Sequence, residues 1–564
     1  MPQEWRGGVF ININGPLMSE PLSCSHPDGS AARSLVDLLL RRAKETPDQL
    51  AYQFLVDGKS EGTRLTYGDL DRQARAVGDR LRQTSQRGDR ALLIYPPGHE
   101  FLVAFFGCLR AGMIAIPLPP PDPARLARAL PRLKAVIADA QAARMLTTAE
   151  IHRTLEQHLD DDFLQLEWLD TDEISDGGLP PVEAPHDWEP SANDVAFLQY
   201  TSGSTSTPKG VTISHGNVLH QCRILGAAEG YSPQSVTATW MPYHHDYGLI
   251  EGLLQPLFFG VPCYFMSPLA FIKRPVRWLE AISRYRITHS QAPNFAYDLC
   301  VRKVSPEQRA GLDLSCWISA AIAAEPIQPQ TLRDFHASFQ ECGLRWSSLA
   351  PGYGLAEATL GVSHSPPGTD PVLFDAEIGA YEQGRLVPAT TGQTCRTLVS
   401  SGRVFNDTRV EIVHPESRQR CAPGEVGEIW IAGPSVAQGY WNRPDDTAQT
   451  FQAHLDDSGE GPFLRTGDLG CLIDGELYVT GRRKDLIIIR GLNHYPHDIE
   501  LTVERSHPSL RPGSGAAFSV EANGLEELVV VQEIQGKQLG ELNVDAAAEI
   551  SDRGRVLHVC NIVR

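Results

Sequence analysis

Residues 199–217 read QYTSGSTSTPKGVTISHGN, and seven of the eight residues from Thr201 to Pro208 are serine, threonine or glycine. Such a loop presents backbone N–H groups and hydroxyl donors to an anion, and Lys209 adds a cation at its exit, which is how a polyphosphate is cradled. The spacing is not GxxxxGK(S/T). The flanking runs VAFLQY and VTIS read as strands, so strand, loop, strand replaces the strand, loop, helix of the usual nucleotide P-loop. The bland alternative is a hairpin tip, yet turn chemistry alone needs one or two such residues. A second polar group, His244, His245 and Asp246 in MPYHHDYG, invites a metal-site reading. If that segment is a strand, the adjacent histidines face opposite ways and cannot share one ion.

The surrounding pattern supplies the frame. SLVDLLLRRAKETPDQLAYQFL reads as a helix, a Pro-Asp break and a strand. LTYGDLDRQARAVGDRLRQ is a helix, ALLIYP a buried strand, FLVAFFGCLRAG a buried helix ending at Gly112, and MIAIPLPPP a strand stopped by prolines. After the loop come a helix from about Asn217, then VPCYFMSP, the helix VRWLEAISRY, and ITHSQAPN. This alternation predicts an α/β fold with layered sheets and helices in a large, subdivided N-terminal body. Residues 363–395 lack a sustained period and read as an insertion. Beyond Gly424, GEVGEIWIAG and GELYVTGRRKDLIIIRG read as antiparallel strands turning at Asp474-Gly475. A small α+β domain is expected from Lys484 to Arg564, with the body spanning 34–483 and a loose leader over 1–33.

A chain of 564 residues is too long for one core. Its formal charge, 50 minus 69 or −19, argues against a broad nucleic-acid or anionic-membrane surface. Eleven cysteines without a CxxC pair signal neither a disulfide framework nor a zinc ribbon and fit a reducing cytoplasm. The most apolar run, Phe101 to Leu109, falls short of the roughly 20 residues of a membrane span, and no secretory signal is visible at the start.

TSGSTSTPKG, MPYHHDYG (241–248), PGYGLAEAT (351–359), RTGDLG (465–470) and GRRKD (481–485) occur in the order found in adenylate-forming enzymes. The chain resembles this superfamily of acyl-CoA synthetases, peptide-synthetase adenylation domains and luciferases over nearly its whole length. AYQFLVDGKSEGTRLTYGDLD, HHDYGLIEG and the insertion make it most similar to the fatty acyl-AMP ligases. The resemblance implies attack of a fatty acid carboxylate on ATP, giving acyl-AMP and pyrophosphate, and then transfer to the phosphopantetheine thiol of an acyl carrier protein. It implies ATP and Mg²⁺ as cofactors, with Thr201, Ser202, Gly203, Thr205 and Lys209 on the β and γ phosphates and Glu357 on the metal. Ala321, Tyr353, Gly354 and Leu355 would line the adenine, although the turn AIAA lacks the glycine common in the superfamily. Asp468 would accept both ribose hydroxyls, with Arg482 as a charged donor to the same sugar. By the same resemblance His245 is an aromatic gate between nucleotide and acyl pockets, Lys484 the hinge of the mobile small domain, and Gly248, Leu249, Ile250, Gly252, Pro293, Asn294, Phe295 and Ala296 the acyl tunnel.

Alternatives stand beside each role. The tunnel residues also read as core packing, GRRKD as a solvated strand end, and Asp246 as a partner for an amino acid's ammonium. The family's small domain carries a lysine in a serine-glycine loop; the last lysine here, Lys537 in EIQGKQLG, does not match it. Hence three outcomes remain open: a fatty acyl-AMP ligase, an acyl-CoA ligase, or a body that holds acyl-adenylate or carrier protein with little turnover. Carrier docking on an acidic chain needs a local basic face, for which Lys273, Arg274 and Arg277 are the candidates.

Overall fold

A computed structural model describes residues 29–121, 126–156, 166–174, 189–200, 208–489, 492–507, 509–522, 525–534 and 559–561. The leader up to residue 28, the loop residues Thr201, Ser202, Gly203 and Thr205, and Lys537 lie outside the described residues.

Among the described residues, two sheets organise the body. The larger has 13 strands, and its half from Leu349–Gly354 through Ser319–Ile322, His289–Ala292, Thr237–Thr239 and Cys263–Met266 to Leu50–Leu55 is parallel throughout. From Leu349–Gly354 in the other direction, through Gly361–His364 to Arg409–Val413, every pairing is antiparallel. The second sheet has six strands, among them Arg90–Ile94, Ile114–Leu118, Val195–Tyr200 and Gly210–Ser214. The apolar runs become strands for the expected reason: Leu92, Leu93, Ile94, Ile116, Phe197 and Leu198 are all fully buried, which parallel sheets covered on both faces require.

Helices hold the sheets by equally local rules. Ser214 caps His215–Glu229 in a capping box with Asn217, so the strand Gly210–Ser214 passes directly into a helix. His99–Arg110 is buried from Phe101 onward, and its Arg110 pairs with Asp71 of the neighbouring helix Tyr67–Arg82 at 2.5 Å. Asp474-Gly475 forms the expected hairpin turn, with φ of 52° and 83°, as a type I′ turn demands.

The insertion differs from its expectation. Residues 363–395 begin inside the strand Gly361–His364, and the segment then forms a strand Leu373–Glu377 paired antiparallel with Cys395–Val399 and a helix Ile378–Glu382. Its strands are short and half-exposed, so their alternation is weak in the sequence. Tyr381 of this helix stacks on Tyr495 at 4.9 Å, and Arg396 pairs with Asp498 of the helix Pro496–Ser506. Beyond the insertion's partner residues, Ile487, Val503, Leu510, Ala517, Leu528 and Val530 form a hydrophobic cluster of their own. Among the described residues no helix is long and apolar enough to cross a membrane.

Candidate active site

The strand ends converge on one cavity of about 1020 Å³. Its walls are Pro117 to Pro119 at the end of the strand Ile114–Leu118, Gln199 and Tyr200, the turn His244 to Tyr247, Ile322 to Ala324, and Gly352 to Glu357. All follow or end parallel strands of the two sheets. Open α/β sheets leave their ligand crevice at this end, because helix connections diverge there. The cavity also lies where the large sheet changes from parallel to antiparallel pairing, so the antiparallel half contributes Glu428, Thr466 to Asp468 and Arg482 to Lys484.

Asp468 and Arg482 face each other across the hairpin, with Nε of Arg482 3.4 Å from Oδ1. The Tyr353 hydroxyl donates to Oδ2 at 2.7 Å. Burial pushes the Asp468 carboxyl above its usual range, against these two partners. Glu428, itself buried, pairs with Arg465 at 2.6 Å and accepts the Gly467 N–H at 3.2 Å, which fixes the turn that carries Asp468.

Glu357 sits on a single helical turn, Ala356–Ala358, and accepts from the Tyr440 hydroxyl at 2.8 Å. Burial raises its carboxyl above the ordinary glutamate value despite that bond. The next turn is strained: Thr359, buried and β-branched, has φ of 69° and donates its hydroxyl to the Ser435 carbonyl at 2.5 Å. Lys209 lies 5.0 Å over the Tyr440 ring and bonds Asp446 at 2.9 Å, so Tyr440 joins the lysine to the glutamate. Ala324, in the AIAA turn, has φ of 70°, the conformation a glycine would adopt more readily.

The histidines do not stand on a strand. Thr237–Thr239 ends before Pro242, and a turn brings both His244 and His245 to the cavity. Burial lowers His244 to about 4, helped by His245 and Arg132, so its ring is neutral. Burial opposes charge on His245 as well, but Asp246 prevails and the net shift is upward. Asp246 Oδ1 is 2.6 Å from His245 Nδ1 and 2.6 Å from the Tyr247 N–H, so this carboxylate is committed to the ring and to a helix start.

Tyr247–Leu254 is a π-helix, in which the Gln255 N–H reaches back five residues to Ile250. Its glycines permit tight approach: a Cβ on Gly248 would lie 2.1 Å from the Pro242 carbonyl, and one on Gly252 2.8 Å from Gln291. This geometry turns Tyr247 and Glu251 to the cavity, while Leu249 and Ile250 are fully buried in the main core. Gly248, Gly252, Pro293, Asn294 and Phe295 likewise do not line the cavity. Asn294 instead accepts the Gln328 N–H at 3.0 Å, and Phe295 is 40% exposed with its edge toward Trp240. Ala321, Tyr353, Gly354, Leu355, Asp468, Arg482, Lys484, His245 and Glu357 all line it; Lys209 stands beside it through Tyr440.

Residues to which the motifs assigned no binding role also line it, notably Arg132, His244, Tyr247 and Glu251. One signal pointed to Glu251: it is the single charge within the apolar run YGLIEGLLQPLFF. Among the described residues no three His, Cys, Asp or Glu side chains could hold a metal by themselves. Glu357 fits Mg²⁺ differently, as one carboxylate completed by phosphate oxygens.

A fold with its cavity at this sheet junction, lined by an aspartate-arginine pair and a buried glutamate, is that of an adenylate-forming enzyme. The chain belongs to the AMP-binding enzyme family, whose model matches residues 39–441. It is 50% identical over 511 residues to the medium-chain-fatty-acid–[acyl-carrier-protein] ligase JamA of Moorena producens, covering 89% of this chain and 85% of that one. The long-chain-fatty-acid–AMP ligase FadD26 of Mycobacterium tuberculosis is 36% identical, over 89% and 87% of the two chains. Among solved structures, the fatty acyl-adenylate ligase of L. pneumophila in complex with acyl adenylate and pyrophosphate superposes with a TM-score of 0.77 at 35% identity, covering 93% and 90%.

Proposed function

We propose that this chain activates a medium-chain fatty acid with ATP to acyl-AMP and pyrophosphate, and passes the acyl group to the phosphopantetheine thiol of an acyl carrier protein. The observation that carries the reading is the cavity itself, where Asp468 and Arg482, Glu357 and His245 converge in a chain half identical to a fatty-acid–carrier-protein ligase. In this reading Asp468 accepts the ribose hydroxyls and Arg482 stands beside it as a donor. Tyr353, Gly354 and Leu355 lie against the adenine with Ala321 opposite. Lys209 exchanges Asp446 for phosphate oxygens, as a cation between an exposed carboxylate and a polyphosphate will. Mg²⁺ at Glu357 would neutralise the phosphates that the incoming carboxylate must approach. His245, held by Asp246, stands at the passage between the nucleotide and acyl lobes and presents its remaining ring nitrogen as a donor to the carboxylate. Attack of the carboxylate oxygen on the α-phosphorus forms the mixed anhydride as pyrophosphate leaves.

The insertion supports a carrier-protein acceptor over CoA. Tyr381 within it and Arg396 just after it contact Tyr495 and Asp498, just beyond the proposed hinge at Lys484, and so restrain the small domain proposed from that residue onward. Lys273 and Arg274 are exposed beside Leu269 and Ile272, a basic and apolar face suited to an acidic carrier. Arg277 is half-buried and donates to the Ala270 carbonyl at 3.3 Å, so it braces that face. A cytoplasmic place of action is part of the proposal, supported by the free thiols of the described cysteines.

The test is mass spectrometry of the protein with Mg-ATP and a panel of fatty acids, with CoA and with a phosphopantetheinylated carrier protein in separate samples. Acyl-AMP and acyl-carrier without acyl-CoA is the expected result. Acyl-CoA at the rate of acyl-carrier would make the chain a CoA ligase, and no acyl-AMP from folded protein would leave a binding body.

A further inference from the structure

Two polar residues of the cavity wall, Glu251 and Tyr247, have no part in the adenylation proposed above. Glu251 is only 6% exposed and lines the cavity, and its carboxyl makes no hydrogen bond to any described residue. Tyr247, four residues earlier on the same helix, also lines the cavity, and its hydroxyl is buried without a hydrogen-bond partner. A nearby acid behaves differently. Glu229, 1% exposed, does not line the cavity; its Oε1 faces His364 Nε2 at 3.4 Å and the Ser319 hydroxyl at 3.5 Å, and its Oε2 is buried without a hydrogen-bond partner. His364 in turn has Nδ1 2.7 Å from the Ser365 carbonyl. Burial, with Glu229 and Asp246 adding, drives the Glu251 carboxyl well above its usual range and so favours its neutral form, which has one donor and one acceptor to offer.

A chain that only packed apolar tails has no use for such a group. A buried, unpaired polar atom is destabilising, and a methyl end would leave both Glu251 and Tyr247 unpaired in the loaded enzyme. A hydroxyl satisfies both at once, accepting from one and donating to the other. A carboxylate end would meet two acids of the cavity wall, Glu251 and Asp246. On the proposed fatty-acid adenylation, we propose that Glu251 and Tyr247 form a subsite for a neutral hydroxyl on the far part of the acyl chain, making a hydroxylated medium-chain acid the preferred substrate.

The experiment compares kcat/KM for acyl-AMP formation across a matched series of medium-chain acids with and without a terminal or near-terminal hydroxyl. The hydroxylated member is expected to be favoured by at least about tenfold at the best length, because a site built to bond a hydroxyl rejects the analogue lacking it. Glu251→Leu should reverse that ratio toward the plain acid, and Glu251→Gln, which keeps a donor and an acceptor, should retain most of it. A wild-type enzyme that prefers plain acids at every length overturns the subsite, as does a ratio unmoved in Glu251→Leu. Acyl-AMP from neither series overturns the adenylation reading and the subsite with it.

Discussion

The contact between the insertion and the C-terminal segment makes a sharp prediction for Tyr381→Ala. Tyr381 and Tyr495 are 3% and 2% exposed and stack with their rings 29° apart. Such a pair is worth about 0.5–1.5 kcal/mol beyond its area. Removing the ring also uncovers roughly 60 Å² of Tyr495, or about 1.5 kcal/mol at roughly 25 cal/mol per Å². The docked arrangement should therefore lose about 2–3 kcal/mol, which raises the undocked population roughly 30- to 150-fold. Hydrogen exchange of the backbone over 487–506 reads that population directly. Acyl-CoA yield reads its consequence: if docking is what excludes CoA, acyl-CoA should rise with exchange. Arg396→Ala should act in the same direction by breaking the ion pair with Asp498. Unchanged exchange in a folded Tyr381→Ala protein would refute the docking argument. Faster exchange with no acyl-CoA would locate acceptor choice elsewhere.

Three further outcomes follow from the same geometry. Asp468→Asn keeps the shape of the Tyr353 contact but removes the charge facing Arg482, and ATP affinity measured calorimetrically should fall by about tenfold to a hundredfold, since hydrogen bonds to charged groups contribute about 1.5–3 kcal/mol. Glu357 has a folded pKa raised by burial, so its neutral form is favoured in the folded chain, and this contribution to stability is full below the unfolded value and lost as pH rises through the folded one. Binding of Mg-ATP, which needs the ionised form, should then release a proton at mildly acidic pH, seen as a buffer-dependent calorimetric heat that Glu357→Gln abolishes. Asp71→Ala strands Arg110 in the helix pair at 8% side-chain exposure and should destabilise the body by about 3–5 kcal/mol in denaturant unfolding, while Asp71→Asn should destabilise it less.

Much of the fold was legible because its parallel strands are buried on both faces and so read as continuous apolar runs. ALLIYP, MIAIPL and VAFLQY needed no tertiary information, and Asp474-Gly475 announced its own hairpin. The insertion was not legible as structure. Its strand Leu373–Glu377 is half-exposed and takes its stability from pairing with Cys395–Val399, a partner about 20 residues away whose contribution no local pattern records. The placement of the histidine pair was not legible for a related reason: alternation applies only to a strand, and the strand Thr237–Thr239 ends before His244 is reached.

The helix Tyr247–Leu254 shows why motif spacing alone misplaces the residues that face a cavity. In an α-helix Leu249 and Ile250 would sweep past a face at 100° per residue, and either could be assigned to the cavity. A π-helix has more residues per turn, so the side chains that reach a given face change identity without any change in composition. Two glycines allow the wide turn here by giving Pro242 and Gln291 their close approach, and Tyr52 secures it by donating its hydroxyl to the Leu253 carbonyl at 2.7 Å. The apolar residues of GLIEGLL thereby go to the core, and its one charge goes to the cavity. A carboxyl in that place is costly to bury unpaired, and nothing in the described protein pairs it. On the proposed subsite, the group that answers Glu251 arrives with the substrate, and the choice of acyl chain is tied to a backbone irregularity rather than to the motifs proposed to bind the nucleotide.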